Sequence, residues 1–314
     1  MPRIRLGFLL VGIALSVQCA APGRPLRIGL VVWPVYEIAV LARSLGRLDS
    51  KRVHLLDYGS NSEALRAYQS GVIDGVALTT TYVVELLALS SNERIVLVID
   101  VSTGGDALVA SANIKSVRDL KGRRIGLEGG SLGLLVLSRA LEHGEIAKTD
   151  VRVVPVDASG QQSAFNAGVV DAVVTYEPTR STLVARGARD IFNSSMMPNE
   201  IVDVLVVRES AVREREQALT HLTDSWFYAL DYLRRHPVDA AARVAPRENL
   251  TAEAYLASLK GVQILDREEN QRWLSGDAPL LDDHLASLAD VMLRTGVLSA
   301  PVQAGSIAVG RFIQ

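Results

Sequence analysis

Side chains able to grip a small molecule gather where apolar runs of this chain stop. Trp33 follows a run that begins at Leu26, and Thr79, Thr80 and Thr81 follow residues 73–78. Gly130 and Ser131 follow 124–127, and Tyr176 with Glu177 follows 170–175. Trp33 offers a flat apolar wall of the kind ligand pockets use, the threonines offer hydroxyls on a strand-to-helix turn, and Tyr176 has both ring and hydroxyl. Gly129-Gly130-Ser131 opens a helix, where free amides and the helix dipole can hold an anionic oxygen; a plain N-cap by Ser131 is the alternative. Acidic residues outnumber basic ones around these positions: Glu37, Asp106, Glu128, Glu177 and Asp203 against Arg180. A charge beside a pocket must be paired or solvated. The rim therefore leans towards an amine, amidine or protonated heterocycle and away from a simple oxyanion, although caps, turns and hinge hydrogen bonds are commoner uses of such carboxylates.

Catalytic constellations are not what these residues form. The five histidines, His54, His143, His221, His236 and His284, have no metal-ligand spacing. His284 follows Asp282 and Asp283, which reads as the solvated face of a late helix. The sequence has no P-loop and no Gly-x-Gly-x-x-Gly after a strand. Neither a cofactor nor a metal is expected.

The elements that must position these residues are written twice, 97 residues apart. Arg27-Ile28-Gly29-Leu30, Gly71-Val72-Ile73-Asp74-Gly75-Val76 and Asp106-Ala107-Leu108-Val109 return as Arg124-Ile125-Gly126-Leu127, Gly168-Val169-Val170-Asp171-Ala172-Val173 and Asp203-Val204-Leu205-Val206. Two units of this length are too few for a solenoid and suit two similar α/β lobes with a cleft between them. In the first copy the periodicity predicts strands over 26–32, 53–56 and 73–78 with helices over 35–45 and 61–69. In the second it predicts strands over 124–127, 151–156 and 170–175 with helices over 132–142 and 161–166. Gly71 and Gly168 end helices, where a residue tolerating positive φ is needed, and Asp74 and Asp171 open the strands that follow. Ligands in open α/β sheets lie beyond the carboxyl ends of the strands, so the repeat places Trp33, Thr80, Ser131 and Tyr176 around one crevice.

Beyond about residue 208 the pattern is helical. Leu219, Leu222, Trp226, Leu230 and Leu233 make one apolar face, ended by His236-Pro237, and shorter helices follow over 252–259, 268–274 and 283–293. This tail packs back onto the first lobe, with Trp226 and Trp273 as core or interface anchors. The whole chain of 314 residues is 48% hydrophobic and 22% charged, with a formal charge of −2 and no block of like charge, which argues against a nucleic-acid partner. At its start, Arg3 and Arg5 precede an apolar run over 6–17 and then Cys19, Ala20, Ala21 and Pro22. That is the order of an export signal, too short to span a bilayer. Cys19, the one cysteine, fits acylation as in a bacterial lipoprotein, despite the unusual Gln18 before it; cleavage after Ala20 or Ala21 is the alternative.

Taken together, Trp33-Pro34-Val35-Tyr36-Glu37, Gly104-Gly105-Asp106-Ala107-Leu108-Val109, Asp119-Leu120-Lys121-Gly122-Arg123-Arg124-Ile125-Gly126, Gly168-Val169-Val170-Asp171-Ala172 with Tyr176-Glu177-Pro178, and Leu259-Lys260-Gly261 with Asn270 resemble the substrate-binding proteins of bacterial ABC importers. The likeness is to the group handling nitrate, aliphatic sulfonates, taurine and thiamine precursors. It implies two doubly wound α/β lobes of type II periplasmic-binding-protein form, joined by two crossing strands, with Tyr36 added to the ligand-binding candidates. The crossing strands would be 106–110 and 203–207, with Asp106 and Asp203 as hinge residues. Residues 1–19 would then be the leader, 24–106 with 204–314 the first lobe and 107–203 the second. The expected protein is a monomeric, exported receptor, lipid-anchored through Cys19, that delivers a small molecule to an ABC permease in the inner membrane. Two alternatives share the scaffold: enzymes resembling those of pyrimidine-precursor synthesis and the menaquinone pathway, and a sensory receptor for a membrane signalling protein.

Overall fold

The computed structural model describes residues 24–303 and 305–313, so Cys19 and the leader lie outside the described residues. The first copy of the repeat runs β1 (Leu26–Val31), α1 (Glu37–Ser44), β2 (Val53–Tyr58), α2 (Asn61–Gln69), β3 (Gly75–Thr79), α3 (Thr80–Leu87), β4 (Glu93–Ser102) and β5 (Asp106–Ala110). The second runs β6 (Arg124–Leu127), α4 (Ser131–Gly144), β7 (Arg152–Pro155), α5 (Ala158–Asn166), β8 (Ala172–Tyr176), α6 (Thr179–Ala185), β9 (Arg189–Asn193) and β10 (Val202–Arg208). The tail adds α7 (Glu209–Glu214), α8 (Glu216–Arg235), α9 (Pro237–Val244), α10 (Ala252–Ser258), β11 (Val262–Ile264), α11 (Arg267–Leu274) and α12 (Leu280–Arg294).

Two sheets result, ordered β11-β4-β10-β3-β1-β2 and β7-β6-β8-β5-β9. Each copy gives its last strand to the other's sheet. β5 lies antiparallel to β8, with Asp106 opposite Tyr176, and β10 lies antiparallel to β3, with Asp203 opposite Thr79. Those two registers are the same once the 97-residue offset is removed. β3 and β5 are buried along their whole length, in keeping with the apolar runs Val76-Ala77-Leu78 and Ala107-Leu108-Val109-Ala110 within them.

The chain passes between sheets twice, at 103–105 and 194–201, just before β5 and β10. This corrects the expectation that 106–110 and 203–207 themselves cross: each lies wholly in one sheet, because its full length is used in antiparallel pairing. Ser194 ties the two passages together, its hydroxyl 2.8 Å from that of Ser102 and accepting the Gly104 amide at 2.7 Å.

Asp74 and Asp171 do more than open strands, which begin one residue after each. The Arg27 amide donates to Asp74 Oδ2 at 2.9 Å, and the Arg124 amide to Asp171 Oδ2 at 2.8 Å. The same arginines' Nη2 atoms reach Asp74 and Asp171 Oδ1 at 3.2 and 3.0 Å, and the Gly71 and Gly168 carbonyls at 2.9 Å each. Each clamp fastens the start of one parallel strand to the turn before its neighbour. Gly71 and Gly168, at φ of 77° and 67° with open space where a Cβ would stand, are needed for backbone conformation rather than room. Burial pushes the Asp74 carboxyl up, but its bonds from Arg27 and Arg24 outweigh this and hold it low; in Asp171 the Arg124 bonds dominate.

The tail packs on the first sheet. The apolar face of α8 is buried along with Trp226, and Asn270 of α11 pairs with the backbone of Val98 in β4, accepting at 2.8 Å and donating at 2.9 Å. Tyr255 donates its hydroxyl to the Pro34 carbonyl at 2.8 Å, just beside Trp33. No described helix is long and apolar enough to cross a membrane.

The clamps differ in burial and in partners, which yields a ranking. Asp74→Ala strands part-buried donors of Arg27 and also loses Arg24, so it is expected to cost about 2 kcal/mol in urea unfolding. Asp171→Ala, in the more exposed clamp, should cost about half of that; equal costs would contradict this account.

Candidate ligand-binding site

A cavity lies where the carboxyl ends of the two sheets face one another. Val31, Trp33, Tyr36, Asn61, Thr79 and Asp203 line it from the first sheet, and Asp106, Leu132 and Tyr176 from the second. Its free space is about 20 Å³ as seen by the centre of a water molecule, room for roughly one water. Tyr176 also lines a second, larger chamber of about 420 Å³, between Val32, Gly59 and Glu248 on one side and Ala158, Pro178 and Arg186 on the other.

Each wall is held from behind. Trp33, two residues past β1 and 4% exposed, donates its indole N–H to Asp100 Oδ2 at 3.0 Å, and its ring meets Tyr176 edge-on with centroids 6.1 Å apart. Tyr36, at the N-terminus of α1, and Thr79, the last residue of β3, stand beside the Asp203 carboxylate, and their hydroxyls offset part of the rise that burial causes in it. Burial above all, with neighbouring carboxylates adding to it, pushes the Tyr36 and Tyr176 hydroxyls well above the usual range. Both remain donors at neutral pH.

The charge balance is one-sided. Asp100, Asp106 and Asp203 are all buried, and no Lys or Arg lines the cavity among the described residues. Burial first, and the nearby Asp203 charge second, raise Asp100; burial likewise raises Asp203. The Asp106 carboxyl is pushed up to about 7 by burial, with Asp203 and Glu177 adding to it against a bond from Ser102. Asp100 Oδ1 and Asp203 Oδ1 have no hydrogen-bond partner.

The lobes also touch directly, each through a carboxylate set at a helix N-terminus of the other. Glu128, after β6, accepts the Ser62 amide of α2 at 2.9 Å, and Ser62 Oγ donates to the Gly129 carbonyl at 2.8 Å. Glu85 of α3 faces the amide and hydroxyl of Ser131 at the start of α4, although the hydroxyl falls short of good hydrogen-bond geometry. Burial raises both glutamates, and these contacts offset only part of the rise.

Of the residues singled out from sequence, Trp33, Tyr36, Thr79 and Tyr176 line the cavity, as do Asp106 and Asp203. The other five face elsewhere. Thr80 Oγ1 lies 2.8 Å from His284 Nε2 of α12, a half-buried residue whose imidazole pKa is lowered to about 4 by desolvation. His284 is therefore not on a solvated face. Thr81 is buried inside α3. Gly130 lies against the Tyr82 ring, which a Cβ there would approach to 2.6 Å, and Ser131 meets Glu85, so the amides expected to hold an anion already face a carboxylate of the chain. Glu177 caps α6, accepting from Arg180 at 2.9 Å and Ser181 Oγ at 2.8 Å. Sequence reasoning missed Asn61 and Asp100. Asn61 was visible as the residue opening a helix straight after a strand, and Asp100 as the acid ending the apolar run 95–99.

Two α/β sheets that exchange their last strands across two passages, with a cleft at their carboxyl ends, define the periplasmic-binding-protein fold. The chain belongs to the NMT1/THI5 like family, whose model matches residues 48–240. A Brucella abortus protein named as a binding protein is 27% identical over 210 residues, 63% of this chain and 62% of the relative's length. Among solved structures, the alkanesulfonate-binding protein SsuA of Xanthomonas axonopodis pv. citri bound to MOPS superposes with a TM-score of 0.74 at 19% identity, over 91% of this chain and 98% of that one. The aliphatic sulphonate binding protein SsuA of Escherichia coli gives 0.71 at 18%, over 90% and 96%. The desulfurization enzyme DszB gives 0.62 at 20%, over 91% and 97%, so one fold carries both binding proteins and an enzyme.

Asp106 makes stability depend on pH in a definite direction. In the folded chain it keeps its proton up to about pH 7, against 3.8 for an ordinary aspartate. Its contribution is fully present below the lower value and lost as pH rises through the upper one. Asp106→Asn removes that loss. Without ligand, the variant's melting temperature is expected to exceed the parent's by an amount that grows from pH 5 to pH 8, reaching ~5 °C; a constant difference would contradict the assignment.

Proposed function

We propose that this chain is an extracytoplasmic solute receptor that closes two lobes on a small molecule and delivers it to an ABC importer. The observation that carries this reading is the cavity itself, walled by both lobes, with aromatic sides and direct interlobe hydrogen bonds at its rim. Two lobes joined by two short passages move relative to one another by default, and a ligand bridging them favours the closed form. The sulfonate-binding neighbours support a receptor role by fold; at under 20% identity they leave the ligand to be read from this cavity. We also propose that the receptor acts as a monomer anchored to the membrane through acylated Cys19; because Asp106 lies in the second sheet and Asp203 in the first, the lobe bounds expected at 106 and 203 move back to the passages at 103–105 and 194–201.

The receptor reading is tested by extracting the protein from its native host, identifying the co-purified solute by mass spectrometry, and recording small-angle scattering with and without it. Compaction is expected; identical profiles at saturation would overturn the trap. Truncating a central aromatic costs ~2 kcal/mol or more of binding, so Trp33→Ala and Tyr176→Ala should each weaken that solute at least ~30-fold. Trp226→Ala, deep in the core, should instead lose ~3–5 kcal/mol of stability. If Trp33→Ala binds normally, the cavity is not the site.

For the anchor, labelled fatty acid should enter the full-length protein and be absent from Cys19→Ser. A mature form starting at Ala21 or Pro22 would refute acylation and leave the receptor reading intact.

A further inference from the structure

We propose that the ligand carries a protonated amine or amidine, held between Asp203 and Asp106 and walled by Trp33, Tyr36 and Tyr176. This rests on the receptor reading above and narrows it to a chemical class.

Three observations converge. Asp203 is 5% exposed, lines the cavity, and leaves Oδ1 without a hydrogen-bond partner. A buried acceptor left unpaired is costly, and an N–H donor arriving with the ligand removes that cost. Asp106 lines the same cavity from the other sheet with no basic side chain beside it, so a cation between the two would neutralise acids that neither lobe neutralises for itself. The walls suit the same guest: the faces of Trp and Tyr rings attract cations, more strongly once water is excluded.

The neighbouring chamber is acidic too. It is lined by Glu248, which is 7% exposed and has neither carboxyl oxygen hydrogen-bonded. Arg186 is the one basic side chain among the chamber's described lining residues. The neighbouring Arg247 is committed to Glu37 and Asp57, at 2.9 and 2.7 Å. An anion would find its usual sites taken, since the amides at the starts of α2 and α4 already face Glu128 and Glu85. A metal ion fits less well than an organic cation: no group of three or more His, Cys, Asp or Glu is arranged to hold one among the described residues.

The test is calorimetric titration of the full mature protein at pH 8 with four probes of similar size: phenethylamine, benzamidine, benzyl alcohol and benzenesulfonate. At least one of the two cations is expected to bind ~30-fold or more tightly than the alcohol, as a charge-assisted hydrogen bond exceeds a neutral one. Asp203→Asn should abolish that preference while melting no lower than the parent at pH 8, which separates loss of the site from loss of the fold. Binding of neither cation would overturn the inference. So would benzenesulfonate or benzyl alcohol binding as tightly as the amine and losing that affinity in Trp33→Ala, a result that leaves the receptor reading standing. A co-purified solute without a basic nitrogen would overturn it equally.

Discussion

The register of the two exchanged strands is the constraint on which the rest depends. Because β10 pairs with β3 so that Asp203 meets Thr79, and β5 pairs with β8 so that Asp106 meets Tyr176, each aspartate arrives at the carboxyl end of a parallel strand in the opposite copy. Those ends face one another. A slip of one residue in either pairing would turn the aspartate to the other face of its sheet and dissolve the cavity wall on that side. The same duplication that makes the lobes alike therefore delivers one acid from each sheet to the space between them.

Buried acids of this kind work against folding. Desolvation disfavours the charged form, and Asp100, Asp106 and Asp203 have no cation at hand to offset it. The chain solves this problem elsewhere: Asp74, Asp171 and Glu177 all have arginines, and Glu37 has Arg247. The contrast within a single molecule separates acids that hold the scaffold from acids kept for something outside it. Glu85 and Glu128 form an intermediate set, satisfied only when the lobes lie together.

Much of this was legible in the sequence because the repeat ties strand starts to strand neighbours. Arg27 and Arg124 open equivalent strands, Asp74 and Asp171 precede equivalent partners, and the offset between the copies shows which strands correspond without any structure. β4 and β9 escaped notice. The run 95–99 is short and wholly apolar, a pattern shared by a buried helix segment, and β9 is half-exposed and mixed in character. The site was read by strand end alone, which fixes position but not direction. β3 runs into α3 with no loop between them, and each helical step turns the side chain by about 100°. Thr79 thus looks into the cavity, Thr80 towards the tail and Thr81 into the core. No spacing rule foretells that a neighbouring lobe will fill the start of α4 with its own glutamate.

Ser194 has a mechanical meaning. By bonding Ser102 and the Gly104 amide it stitches the outgoing and returning passages into one joint instead of two separate tethers. Two independent tethers would let the second sheet slide, twist and tilt against the first. A single stitched joint leaves it less of that freedom. Since Asp106 and Asp203 line one cavity from different sheets, any movement of the sheets about that joint would change the distance between the two acids.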